Sequence, residues 1–190
     1  MRRTPATAPL HGIAIPLRAM EFPEAMVYER DGVRVFAFLV DHRPAAPAFG
    51  YRFEFGGRRV VISGDTRPTP RLQAAAKDAD LLVHEALAAH LLPPLAAATR
   101  AAVRVNAAKI LGDIPDYHTT PVQAAQRANA AHVNTLVLYH LVPAPRRNAL
   151  MARMFVRGVD DVRPGTLLGE DGMLVTLPVR TKTVAVSRID

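Results

Sequence analysis

The sequence contains no cysteine among its 190 residues, so it can form neither disulfide bonds nor thiolate metal sites. Any metal site must therefore use histidine and carboxylate ligands. No apolar run reaches the ~18 residues that a membrane-spanning helix requires, and we expect no membrane partner. The N-terminal stretch MRRTPATAPLHGIAIP lacks the apolar core and small-residue cleavage site of a signal peptide. The compartment stays open, with the cytoplasm expected if Met1 is the true start.

The formal net charge of +7 is of the kind that nucleic-acid-binding proteins carry. The arginines, however, are spread along the chain. Beyond the N-terminus they form only two adjacent pairs, Arg58-Arg59 and Arg146-Arg147. We therefore expect a solvated basic surface and no nucleic-acid partner.

The order of predicted elements indicates an α/β fold. Proline-rich residues 1–26 lack periodicity and predict an irregular segment, so one domain is expected at 27–190. Aromatic residues alternate at 49–55 before the hairpin glycines Gly56-Gly57. A mixed β-sheet with helices packed on one side follows from the order of the elements. Strands are predicted at 33–42, 49–55, from 58 to about 65, at 80–85, 134–140, 166–169 and 173–177, and helices at 71–80, at 86–112 with an interruption at Pro93-Pro94, from 121 onward and at 148–158.

The clearest local signal is a helix start. Thr120 is a good N-cap, Pro121 follows at the first helical position, and Gln123 completes a capping box. His118 lies just before this helix, in the loop.

Residues that can bind metal or move protons end four predicted strands, in the stretches FLVDH, VVISGD, DLLVHE and LVLYH. In α/β sheets such side chains meet at the carboxyl edge of the strands. Imidazoles and carboxylates suit zinc, and a carboxylate can bridge two ions. A histidine outside the metal shell could protonate a leaving group. Two simpler interpretations stay open: Asp65 could cap a turn, and His84 could be a packed histidine.

The stretches VDH…FGYRFEF, VVISGDT, LLVHEAL, YHTTPVQAA and LVLYHLVP together resemble the second half of metallo-β-lactamase-fold hydrolases. The resemblance covers about Val27 to Leu177 and is closest to the ribonuclease Z-like branch, within it to the group that includes a bacterial arylsulfatase. It implies that this chain is the C-terminal half of an αβ/βα sandwich. It also implies two zinc ions in the complete domain.

The resemblance assigns roles residue by residue. His42 would bind one zinc, Asp65 would bridge both, and His140 would bind the second. His118 would assist the leaving group. His84 and Glu85 match the supporting His-Glu-Ala-Thr motif, although Leu87 replaces its threonine.

The family's His-x-His-x-Asp-His motif, which provides most metal ligands, is absent from the sequence. The resemblance therefore implies that the N-terminal half of the fold is missing, with a wrongly chosen start as the plainest explanation. Alone, the chain should bind zinc weakly and be largely inactive. It should also expose a sheet face that a second copy or a complementary N-terminal half would cover.

We expect from the resemblance a zinc-dependent hydrolase acting on a small-molecule sulfate or phosphate ester, as an arylsulfatase does. One alternative is a ribonuclease Z-like tRNA 3′-processing endonuclease. Only residues 43–64 separate His42 from Asp65, which leaves no room for the long arm that tRNA-processing members commonly carry. The other alternative is a non-catalytic fragment or half-domain that needs a partner.

Overall fold

The computed structural model describes residues 24–102, 104–146 and 148–189. Most of the predicted irregular segment, 1–26, lies outside these residues, although β1 begins at Ala25. Within the described ranges no helix combines the length and apolar character needed to span a bilayer. The strands are β1 (Ala25–Arg30), β2 (Val33–His42), β3 (Ala45–Phe55), β4 (Arg58–Ile62), β5 (Leu81–Leu87), β6 (Thr135–Val142), β7 (Leu167–Leu168), β8 (Met173–Thr176) and β9 (Ala185–Arg188), and the helices are α1 (Pro70–Ala75), α2 (Leu92–Ala101), α3 (Val105–Asp113), α4 (Pro121–Ala130) and α5 (Ala149–Phe155).

Strands β1 to β7 form one sheet in chain order, while β8 and β9 form a separate hairpin. Pairing is antiparallel from β1 to β4 and parallel from β4 to β7. Two successive antiparallel pairings restore direction, so β2 runs the same way as β4, β5 and β6. The carboxyl ends of all four strands therefore lie at one edge, and the predicted mixed sheet is confirmed.

One face of the sheet is covered by α1, α4 and α5. Side chains such as Phe38, Leu82 and Leu138 of the sheet belong to one buried cluster with Leu72 of α1 and Phe155 of α5. Burying each such side chain contributes about 1.5–3 kcal/mol. Small alanines of α4 let this helix approach the strands closely, namely Ala124, Ala125 and Ala128.

The opposite face of β2, β3 and β4 is apolar and partly exposed. On this face, side chains of β2 lie opposite side chains of β3. Val35 pairs with Phe53, and Ala37 pairs with Tyr51. Tyr51 is 40% exposed and Phe55 52% exposed. An open apolar face agrees with the expectation from the sequence, whereas the second copy or complementary half expected to cover it stays a prediction.

Several features differ from the sequence-based expectation. Strand β9 was not predicted, and the helix expected at 86–112 is divided into α2 and α3, after β5 has continued to Leu87. Strand β1 was not predicted, because most of its residues are exposed at the sheet edge and leave no buried apolar run. Pro93-Pro94 was expected to interrupt a helix, but α2 starts at Leu92. Proline is tolerated in a first helical turn, where its missing N–H would have no intrahelical partner.

The backbone conformation and close packing at position 64 require the glycine that precedes Asp65. Its φ is +63°, and a Cβ there would lie 2.3 Å from the carbonyl oxygen of Phe49. The loop after β4 therefore passes directly against the backbone of β3. Only glycine allows this path, which sets the position of Asp65 at the sheet edge.

We expect Gly64→Ala to lower the free energy of unfolding by more than Gly57→Ala does. Gly57 has a φ of +78°, but no atom of the described residues lies within 4 Å of its added Cβ, so its variant suffers only the ~1 kcal/mol conformational strain. Gly64→Ala adds a backbone clash and should be worse by at least about 1 kcal/mol. Urea unfolding of both variants measures the difference, and equal losses would contradict the close approach.

Candidate active site at the carboxyl edge of the sheet

The carboxyl edge brings together five of the six predicted site residues. His42 ends β2, Asp65 follows β4, Glu85 lies in β5 and His140 lies in β6. His118 joins them from the loop before α4, where the predicted capping box of Thr120 and Gln123 is present. The local helix start thus holds His118 beside the ends of the strands.

Three imidazole rings lie in a row at this edge, with His118 in the middle. Its ring centroid is 4.8 Å from that of His42 in an edge-on arrangement. On the other side it stacks against His140 with a centroid separation of 5.9 Å. A group bound at this row could therefore contact more than one imidazole nitrogen.

Glu85 and His118 form a buried pair. Glu85 Oε2 lies 3.0 Å from His118 Nδ1, and the two side chains are 0% and 5% exposed. The other carboxylate oxygen, Oε1, accepts a hydrogen bond from the backbone N–H of Thr119 at 2.7 Å. Because a carboxylate only accepts, Nδ1 of His118 donates and its Nε2 is left for chemistry.

Asp65 and His140 form a second, accessible pair. Asp65 Oδ1 lies 3.2 Å from His140 Nδ1, and these side chains are 36% and 45% exposed. His140 has a φ of +43°. It has no partner in the pairing of β5 with β6, because Glu85 pairs with Tyr139 and the next residue, Ala86, pairs with Leu141. A bulge of this kind re-aims a side chain, here at the sheet edge.

His42 is oriented by the loop that carries His118. Its Nδ1 lies 3.1 Å from the carbonyl oxygen of Tyr117. A carbonyl only accepts, so Nδ1 of His42 is the donor and Nε2 keeps a lone pair. A metal ligand needs this arrangement, in which a second hydrogen bond fixes the tautomer.

The donor atoms suit a metal ion. One ligand atom each from Glu85, His118 and His140 lie within 4.8 Å of one another. Imidazole and carboxylate groups are the donors that zinc takes in proteins without cysteine ligands. This group shares only His140 with the ligand set predicted from the resemblance, which also contains His42 and Asp65.

A cavity of about 910 Å³ opens beside His140. Tyr139, Leu168 and Met173 line it together with His140. Burial and the nearby Asp65 carboxylate raise the pKa of Tyr139 above its ordinary value. The cavity is of the size found for small-molecule sites and gives a ligand room next to the edge residues.

The structure does not bring His84 into this cluster. It precedes Glu85 in β5, so its side chain points to the helix-covered face and is fully buried. Its Nδ1 lies 2.7 Å from the carbonyl oxygen of Glu85, while Nε2 has no partner among the described residues. The catalytic role expected for His84 stays a prediction.

Two residues of the site were not singled out from the sequence. Ser63 Oγ accepts the backbone N–H of Glu85 at 3.0 Å, and Thr119 Oγ1 donates to the carbonyl oxygen of Thr66 at 2.6 Å. Both side chains are completely buried. Ser63 lies within the motif VVISGD and Thr119 within YHTT, and these positions are the sequence feature from which they could have been identified.

Comparison with known proteins gives three findings. A family model described as "Beta-lactamase superfamily domain" matches residues 2–141. The chain is similar to the ribonucleases Z of Mycobacterium marinum, at 38% identity over 129 residues (68% of this chain, 42% of that protein), and of Mycobacterium avium, at 38% over 146 residues (74% of this chain, 48% of that protein). The solved metallo-beta-lactamase fold protein YhfI from Bacillus subtilis matches 74% of this chain and 48% of its own, with a TM-score of 0.50 and 16% identity. The chain thus spans less than half the length of these relatives.

The buried His84 predicts a pH dependence of stability. Burial lowers its pKa below the ordinary value of about 6.5, so the unfolded chain takes up a proton that the folded chain does not. Stability should therefore fall as the pH drops below about 6.5, by up to about 1.4 kcal/mol per pH unit. In His84→Leu this contribution disappears, and the curve between pH 5 and 6.5 becomes shallower.

Urea midpoints at several pH values measure this slope. His132→Asn is the control, because it removes an exposed imidazole at a position whose φ of +53° asparagine tolerates. An unchanged slope in His84→Leu would contradict the burial of a neutral imidazole.

Proposed function

The chain belongs to the metallo-β-lactamase superfamily, and on this basis we propose that it is a metal-dependent phosphodiester hydrolase of the ribonuclease Z type. The observation that carries the choice of RNA as substrate is the 38% identity to two proteins named ribonuclease Z. The proposal departs from the expectation that nucleic acid is not a partner. The whole relatives are more than twice as long as the matched segment, so the substrate itself belongs to the proposal.

The arylsulfatase-like interpretation of the sequence is not supported. The two curated relatives reported above are ribonucleases, and the alternative drawn from the sequence is favoured instead. The short segment 43–64, which argued against tRNA, forms β3 and β4 of the central sheet. Its length bears on which RNA is bound and not on whether a phosphodiester is cleaved.

We assign the accessible side chains to the metal and the buried pair to proton transfer. His42, Asp65 and His140 would hold zinc, since the Asp65 and His140 side chains are each more than a third exposed. Bound zinc would stabilise charge on the phosphoryl oxygens and lower the pKa of a water molecule. Three protein ligands shared between two ions are fewer than the three usual at each catalytic zinc, so we expect weak binding by this chain alone.

His118 would act as the general acid. Its Nδ1–H is held by Glu85, so a proton on Nε2 can be given to the departing oxygen of the ester. Glu85 fixes the ring orientation and stabilises the charged imidazolium. Positioned acids of this kind contribute about 10²–10⁴-fold to the rate.

The competing assignment makes Glu85 a metal ligand together with His118 and His140, whose ligand atoms lie within 4.8 Å of one another. Both oxygens of Glu85 already accept hydrogen bonds from His118 and Thr119. A metal ion would have to share these oxygens with two donors. We therefore favour Glu85 as the partner of His118.

Two measurements on three proteins test the proposal: zinc affinity by calorimetry, and zinc-dependent hydrolysis of an oligoribonucleotide and of an aryl sulfate. Wild type should cleave the oligoribonucleotide, slowly and only with zinc, and leave the aryl sulfate intact. Glu85→Gln should keep the zinc affinity within about twofold but lower turnover by about 10²-fold or more. Asp65→Asn should weaken zinc binding by at least the roughly 10–100-fold that the loss of an outer-shell partner costs.

Three outcomes would contradict this account. Faster hydrolysis of the aryl sulfate would reject RNA as the substrate class. A loss of zinc affinity in Glu85→Gln as large as in Asp65→Asn would make Glu85 a ligand. A melting temperature and turnover unaffected by saturating zinc would favour a non-catalytic fragment.

A further inference from the structure

Two arginines lie at the same sheet edge as the site residues and are held by one carboxylate. Arg43 follows His42, and Arg67 lies two residues after Asp65. Both guanidinium groups bind Asp41: Arg43 through Nε at 3.1 Å and Nη2 at 3.0 Å, and Arg67 through Nε at 2.8 Å and Nη2 at 2.6 Å. The group carries one net positive charge.

This arrangement leaves hydrogen-bonding capacity on both arginines. A guanidinium has five N–H groups, and the bonds to Asp41 use only the Nε and Nη2 side of each fork. The Arg43 side chain is 71% exposed and that of Arg67 47% exposed.

The arginine pair is also fixed relative to the buried Glu85–His118 pair. The backbone N–H of Arg67 donates to the carbonyl oxygen of Asp41 at 2.9 Å, and Thr66 Oγ1 accepts the N–H of Asp41 at 3.2 Å. Thr119, which bonds Glu85, donates its hydroxyl to the carbonyl oxygen of Thr66. A continuous set of hydrogen bonds therefore links the buried pair to Arg67 and Asp41.

We propose that Arg43 and Arg67 form a phosphate subsite that binds the backbone of a single-stranded RNA next to the scissile phosphodiester. This inference rests on the proposed function, because it extends the same site to a neighbouring phosphate. Guanidinium forks suit phosphate oxygens, and a carboxylate that holds two of them in place reduces the entropy lost on binding. The subsite selects polyanionic substrates over small esters with one anionic group.

Binding can be measured without catalysis. Fluorescence anisotropy with a labelled oligoribonucleotide in EDTA, at several salt concentrations, should show that Arg43→Gln and Arg67→Gln each weaken binding about tenfold at low salt. Each should reduce the slope of log K against log salt by about 0.7, the value for one lost contact to a single strand. Melting temperatures of the variants show whether the fold is kept.

Arg34→Gln is the matched control. Arg34 is half exposed and pairs with Glu54 at 2.7 Å, but it lies at the start of β2, at the opposite edge of the sheet. An equal loss of binding in Arg34→Gln, or unchanged binding in both edge variants, would overturn the subsite. If the edge variants bind weakly while zinc-loaded wild type cleaves no RNA, the subsite stands and the proposed function fails.

Discussion

The rest of the site depends on the hydrogen bonds that the buried carboxyl group of Glu85 accepts. Placing an unpartnered carboxyl group in a protein interior costs several kcal/mol, so the fold must bring donors to it. Those donors are His118 and the backbone of Thr119, both from the loop before α4. Ser63, at the end of β4, holds the Glu85 backbone from the other side. Glu85 thus connects β5 to the loop before α4 through its side chain and to the residue after β4 through its backbone.

The sheet topology explains why such a centre forms at this edge. Because β2, β4, β5 and β6 run in one direction, polar residues at their carboxyl ends converge without breaking the hydrogen bonds of the sheet. The alternation within β5 then separates two neighbouring residues by function. Glu85 points to the edge cluster, whereas His84 points into the helix-covered core, where a neutral imidazole packs among apolar side chains.

The sequence was informative where chemistry and local structure coincide. Strand ends carrying Asp65, Glu85 and His140, and the capping box at Thr120, can be read from short patterns, and they predicted both the mixed sheet and the meeting of the side chains. The bulge at His140 could not be predicted, since a one-residue shift of register leaves no mark on composition. The ion pairs of Asp41 with two arginines could not be predicted either, because they depend on the loops after β2 and β4 lying side by side. The proposed substrate class differs from the one expected from the sequence, because charge scattered along the chain says little about where arginines meet in space.

The central claim is that Glu85 sets the tautomer of His118. The most direct measurement is long-range ¹H–¹⁵N NMR of the His118 ring in the metal-free protein at neutral pH, assigned with His118→Gln. The account predicts that Nδ1 of the ring carries a proton and donates it to Glu85. A ring protonated on Nε2 alone would mean that Glu85 does not hold His118, and the assignment of the acid and its partner would fall.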